Sequence, residues 1–262
     1  MREIPHYRQL YNTCGLSSLL MISIPEKNGN LQYLLDDICR LIGVSVEFNR
    51  ELNWQLACGY LLLKMSYNRL LSWHLRNEFK EEFSHFKIIL KNQIYQKLEL
   101  YEKKQDRKMV SALNLFLKHR IIRKNTLKAY LDDMKTNLEL KMLAYLFGGR
   151  FIPNNNSNDG TGCYVFKNKN KKDVKKIDEM ITDGLMLGLY NHWMPVKNIY
   201  KDENNNFVLA VNDPLGNKKS IPFNSITQDY RFYHYKFDPK LRDKMDQIVR
   251  RALNLRKYPK NP

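Results

Sequence analysis

From Tyr60 to Phe147 the chain carries neither glycine nor proline, a run of 88 residues. Glycine ends helices through its backbone freedom and proline through its missing N–H, so a run without either restricts this part of the chain to long helices. Leu127, Tyr130, Leu131, Met134 and Leu138 follow the i, i+3, i+4, i+7, i+11 spacing of one buried face. Leu113, Phe116 and Leu117 repeat that spacing upstream. Polar clusters at Ser84-His85, Glu102–Asp106 and Arg123-Lys124-Asn125 predict the breaks, and hence three or four helices. The run holds 18 Lys/Arg against 9 Asp/Glu, a basic surface.

The chain on either side reads differently. Leu16, Leu19, Leu20 and Ile24 keep helical spacing over 14–24, and Pro25 and Gly29 stop that helix. A second helix spans 30–43, with Asn30 as its cap, Gly43 as its end and Cys39 on its apolar face as a core residue. After Gly148-Gly149, turn signals surround short strands: Pro153, Asn154 to Asn156, and Asp159-Gly160-Thr161-Gly162. Thr161-Gly162 belongs to no phosphate loop. Val174, Ile177 and Ile181 share one face of an amphipathic helix over 171–182.

From Gly184 the hydrophobic period changes to two, which predicts strands near 185–190, 192–200, 206–212, 218–223 and 231–237. The polar turn from Lys201 to Asn206 joins an antiparallel pair, and such a hairpin brings Asp213 back beside His192. Pro195 removes a ladder N–H, so its strand is expected at an edge or with a bulge. Asp238-Pro239 opens a last helix over 239–255, and a basic tail follows. The fold class is therefore α+β.

The chemistry concentrates in Gln9-Leu10-Tyr11-Asn12-Thr13-Cys14-Gly15. A thiol in the first turn of a helix faces unpaired N–H groups and the positive end of the macrodipole, both of which favour the thiolate. Among the six histidines, His192 is followed by Trp193 on a strand whose hairpin partner ends in Asn212-Asp213-Pro214. His234, inside Phe-Tyr-His-Tyr, is the second candidate base. His74, His85 and His119 fall in the helical run as surface or packing residues, and His6 lies close to the Gln9 segment.

These three segments, in this order, resemble papain-like cysteine peptidases, in particular the peptidase C39-like group. The resemblance covers roughly residues 1–58 and 150–237. It implies that Cys14 is the nucleophile and that Gln9 lends its amide to the oxyanion hole. It also implies that His192 is the general base and that an amide or carboxylate orients it. Papain-like enzymes in general use Asn for that last role, which would be Asn212, and the C39-like group uses Asp, which would be Asp213. The implied architecture is a papain-like fold: a helical half at 1–58 with the nucleophile, an all-helical insertion at 59–149, and a sheet half at 150–262 with the His and Asp. Gln9 lies five residues before Cys14 and His192 precedes Trp193. Both features are similar to the actin-maturation type of protease, whose substrate end is an acidic N-terminal segment. No metal or organic cofactor is implied.

Charge and cysteine usage bound the alternatives. The net charge of +17 favours acidic partners: an acidic peptide, nucleic acid or an anionic surface. The 44 Lys/Arg and 16 Tyr would also serve a catalytically silent module that binds nucleic acid or protein, although they form no single stripe or known motif. An acyltransferase or amidase on the same scaffold is equally consistent with the residues. Cys14, Cys39, Cys58 and Cys163 form no C-x-x-C, which argues against structural zinc. The N-terminus does not read as a signal peptide, no run of eighteen apolar residues exists, and free thiols fit a cytoplasmic setting.

Overall fold

A computed structural model describes residues 4–10, 12–24, 29–132, 134, 137–153, 163–166, 169–189, 192–227 and 229–255. The turn signals at 154–162 lie outside these residues. The architecture is mixed α+β, with helices around one end of the chain and an open antiparallel sheet at the other.

Helix α1 (Cys14–Ser23) is buried along its whole length. Its large apolar residues alternate with Gly15, Ser17 and Ser18, small enough to let neighbours close in on every side. A buried hydroxyl without a partner costs about 1–3 kcal/mol. Here Ser17 Oγ donates to the Tyr7 carbonyl at 2.8 Å and Ser18 Oγ to the Trp193 carbonyl at 2.9 Å. The two bonds fasten α1 to the N-terminal segment and to the sheet. Helix α3 (Arg50–Met65) packs beside it and α2 (Gly29–Leu41) packs on α3, and α3 runs unbroken through residues 58 and 59.

The run without glycine or proline goes on as α4 (Arg69–Lys103), α5 (Arg107–His119), α6 (Lys124–Leu131) and α7 (Asn137–Leu146). The expected breaks near 102–106 and 123–125 are present. Asp106 caps α5 by accepting the Met109 N–H, and Arg120 closes it in the left-handed conformation, φ 60°. The break expected at Ser84-His85 is absent, because Phe83 and Phe86 are buried and stacked 6.0 Å apart. The polar pair is the exposed face of the helix's second part, and the break falls instead at Lys80, φ 43°, where α4 kinks. Conversely, the stripe from Leu127 to Leu138 is split between α6 and α7. Met134 stays buried in the connection, so the spacing reads on across a real break.

Strand β1 (Gly149–Phe151) and helix α8 (Lys171–Asp183) precede β2 (Leu185–Leu189), β3 (His192–Lys201), β4 (Phe207–Val211), β5 (Ser220–Pro222) and β6 (Tyr230–Phe237). The sheet order is β1-β6-β2-β3-β4-β5, antiparallel throughout. Alternation sends Met186, Tyr233 and Tyr235 into the helical body, and Leu185, Leu187, Met194 and Phe232 toward Ile177, Met180 and Ile181 of α8. Strand β3 is interior rather than at an edge. Pro195 sits where the pairing with β4 begins, and a register shift between Val196 and Asn198 follows it.

Helix α9 (Pro239–Leu253) starts on Asp238, whose carboxylate accepts the Lys240 and Leu241 N–H groups. It is held by buried charges. Arg242 donates to the Leu146 carbonyl at 3.0 Å, Asp246 bridges Arg242 and Arg250, and Arg250 reaches Asp37 of α2 at 2.7 Å. Gly148, at φ +81°, lies so close that a Cβ there would come within 2.4 Å of the Arg242 Cα. Among the described residues, no helix is long and apolar enough to cross a membrane.

Buried acids give the fold a pH limit. Burial pushes the Cys39 thiol up to about 12, raises Cys58 well above its ordinary value, and does the same to the Tyr130 phenol, which donates to Glu139 at 2.5 Å. The unfolded chain releases these protons near pH ~8.5 for cysteine and ~10 for tyrosine, while the folded chain keeps them. Stability is therefore expected to fall as pH rises above ~8.5, by about 1.4 kcal/mol per pH unit for each group once its unfolded pKa is passed. Urea midpoints measured between pH 7 and 11 check this, and a flat profile above pH 9 would contradict it.

Candidate active site

The head of α1 is where the N-terminal segment meets the sheet. Cys14 is its first residue and is 6% exposed. Thr13 before it makes no side-chain cap. Its hydroxyl lies within hydrogen-bond distance of the Leu10 carbonyl and of Gln55 Oε1. The Leu10 N–H donates to Gln55 Oε1 at 2.7 Å, and Gln55 Nε2 donates to the Arg8 carbonyl at 2.7 Å. The loop that carries Gln9 is thus fastened to α3 on both sides of that residue.

The Cys14 sulfur is pulled in two directions. Burial pushes its pKa up. The backbone N–H groups of Trp193, Gly15 and Cys14 itself pull it down, and the Asp213 carboxylate adds a smaller upward push. The net direction is up, so the resting group is a thiol. The expected thiolate preference of the helix start is present in those N–H groups, but desolvation outweighs it.

His192 opens β3, opposite Leu189. Its Nε2 lies 2.8 Å from Asp213 Oδ1, with the imidazole 25% exposed and the carboxylate 2%. The loop after β4 folds around that carboxylate. Oδ1 also accepts the Leu215 N–H at 2.9 Å, and Oδ2 accepts the Lys218 N–H at 3.1 Å. A carboxylate can only accept, so Nε2 carries the hydrogen and Nδ1 keeps the basic lone pair.

Trp193 docks this strand on α1. Its carbonyl takes the Ser18 hydroxyl, its N–H reaches the Cys14 sulfur, and its ring lies 4.4 Å from that of Tyr233. Gly15 leaves room for it: a Cβ there would meet the Trp193 ring at 3.3 Å and Leu140 at 2.8 Å. Gln9, Cys14 and His192 line one cleft of about 540 Å³. The Gln9 N–H also donates to the Pro214 carbonyl at 3.3 Å, across from the nucleophile helix to the Asp213 loop.

Asn212, the alternative orienting residue, does not reach His192. Its amide donates to the carbonyls of Ile4 at 2.8 Å and Pro5 at 3.1 Å, which fastens the N-terminal segment to the sheet. His6 adds a contact of 2.9 Å to the Asp213 carbonyl. His234 pairs with Asp183 at the end of α8, at 2.9 Å, and lies outside the cleft. Cys39, Cys58 and Cys163 are all buried in the larger hydrophobic core, away from the cleft.

Two features carried no motif. Met134, Asn137 and Leu140, from the helical run, form a wall of the cleft. Gln55 is fully buried. Its only signal is a polar residue set in the apolar turn Trp54-Gln55-Leu56-Ala57-Cys58. Comparison of the chain with protein-family models, curated proteins and solved structures finds no match.

Proposed function

We propose that the chain is a cysteine peptidase of papain-like architecture, acting through Cys14, His192 and Asp213. The observation that carries this reading is the 2.8 Å His192–Asp213 pair, whose tautomer leaves Nδ1 basic, in the same cleft as a sulfur at the head of a buried helix. Because Cys14 rests as a thiol, His192 takes its proton as the substrate carbonyl arrives. The sulfur attacks the carbonyl carbon, and the Gln9 amide and the Cys14 N–H receive the oxyanion. The imidazolium, held by Asp213, protonates the departing amine. Water, deprotonated by the same imidazole, then releases the acid and frees the sulfur.

The cleft fits an extended peptide with both apolar and acidic character. Leu140, Met134 and Leu215 offer apolar contact, and Lys218 adds a cation to the lining. The net charge of +17 would draw an acidic segment toward it. Four cysteines outside any disulfide support a reducing, cytoplasmic setting for the enzyme.

The test is acylation. Activated esters of acidic and neutral peptides are incubated with the protein, with and without a primary amine, and the digest is analysed by mass spectrometry. An acyl group on Cys14 that turns over to acid is the expected result. Turnover only to the amide would reassign the activity to acyl transfer. No acylation of Cys14 by any ester, while a small alkylating agent still reaches it, would remove the peptidase reading.

A further inference from the structure

We propose that Gln55 is a positioning residue that holds Gln9 and Cys14 in register as the two oxyanion donors. This rests on the reading of Gln9 given above. Gln55 lies on α3, outside every segment that bears chemistry, and is 0% exposed. Its amide is oriented by its partners, since the Leu10 N–H can only donate and the Arg8 carbonyl can only accept. A further bond to the Glu51 carbonyl, at 3.3 Å, anchors the amide to its own helix. The two peptide groups that flank Gln9 are thus fixed by three bonds. The Arg8 carbonyl and the Leu10 N–H are held by Gln55, and the Gln9 N–H by Pro214 of the Asp213 loop.

The same Oε1 lies 2.5 Å from the Thr13 hydroxyl, in the residue before the nucleophile. One side chain therefore holds the loop beside Gln9 and again at the residue before Cys14. An oxyanion hole works only when its donors are preorganised, and a side-chain amide on an irregular loop has no helix or strand to place it. Gln55 supplies that placement from the rigid α3.

The experiment compares two reactions of Cys14 that differ in one requirement. Acylation by a peptide ester passes through an oxyanion, and alkylation by iodoacetamide does not. Gln55→Met, similar in volume but unable to make these bonds, is expected to slow acylation about 10- to 100-fold while leaving alkylation within about twofold. In a Gln9→Ala background the same substitution is expected to add less than about twofold, because it acts through Gln9. Equal losses in both reactions, or a full multiplicative loss in the Gln9→Ala background, would overturn the proposal and leave Gln55 as packing.

If Gln55→Met fails to fold, Gln55→Glu answers the same question. Its carboxyl, when protonated, can donate to the Arg8 carbonyl as the amide does. Acylation relative to wild type should then recover as pH falls, and a ratio that ignores pH counts against the idea. A wild-type protein that no ester acylates would sink the peptidase reading and this inference together. A normally acylated Gln55→Met would sink this one alone.

Discussion

Cys14→Ala is expected to abolish turnover, by on the order of 10⁵- to 10⁶-fold, while the fold persists. Nucleophile, base and orienting group act as a unit, so losing the sulfur costs about as much as losing all three. The structural cost is small. Cys14 lines the cleft and belongs to neither packed hydrophobic core, and removing one sulfur costs about 1–2 kcal/mol of burial and cavity energy. The same variant should lose the native protein's single site of alkylation. Cys39, Cys58 and Cys163 are each at most 1% exposed and cannot be reached without unfolding. Burial holds Cys14 as a thiol, so alkylation at pH 7 should be slower than that of a free thiol and should rise with pH past the ordinary cysteine value. Peptide esters should not share that handicap if, as proposed, His192 removes the proton as the carbonyl binds. Rapid alkylation at pH 7, or equal labelling of Cys39 and Cys58 under native conditions, would contradict this account.

The parts of this arrangement that local pattern could announce were legible in advance. The change to a period of two after Gly184, the Lys201–Asn206 turn and the Asp238-Pro239 start all have local causes, and the elements appear there. Cys14, His192 and Asp213 could be singled out by residue type and order, and the fold brings Cys14 and His192 to one cleft with Asp213 on the imidazole. What stayed hidden is decided by partners far along the chain. Asn212 and Asp213 are neighbours, and both can hold an imidazole. The choice falls on Asp213 because the carbonyls of Ile4 and Pro5, more than two hundred positions away, occupy the Asn212 amide. The wall made by Met134, Asn137 and Leu140 exists only once α7 packs on α1. The split between α6 and α7 was invisible because Met134 keeps the stripe's spacing without being helical.

Asp213→Asn is the sharpest test of which neighbour orients the base. The carboxylate accepts three hydrogen bonds, from His192 Nε2, the Leu215 N–H and the Lys218 N–H. An amide can accept at one end only. If its oxygen faces His192 and Leu215, its NH₂ opposes the Lys218 N–H, at a cost of about 1–3 kcal/mol for the lost bond. If its oxygen faces Lys218, its NH₂ turns toward His192. The hydrogen then moves to Nδ1, where the lone pair is needed. Either way no charge remains to hold the imidazolium. Turnover is expected to fall about 10³- to 10⁴-fold with little change in KM. Alkylation should respond in the opposite sense. The Asp213 charge is one of the groups that push the Cys14 thiol up, so its removal should move the alkylation profile slightly toward lower pH. Asn212→Ala, by contrast, releases the N-terminal segment. It should cost about 1–3 kcal/mol of stability and keep turnover within about threefold. A near-normal Asp213→Asn beside an inactive, folded Asn212→Ala would transfer the orienting role to Asn212, and the tautomer argument for His192 would go with it.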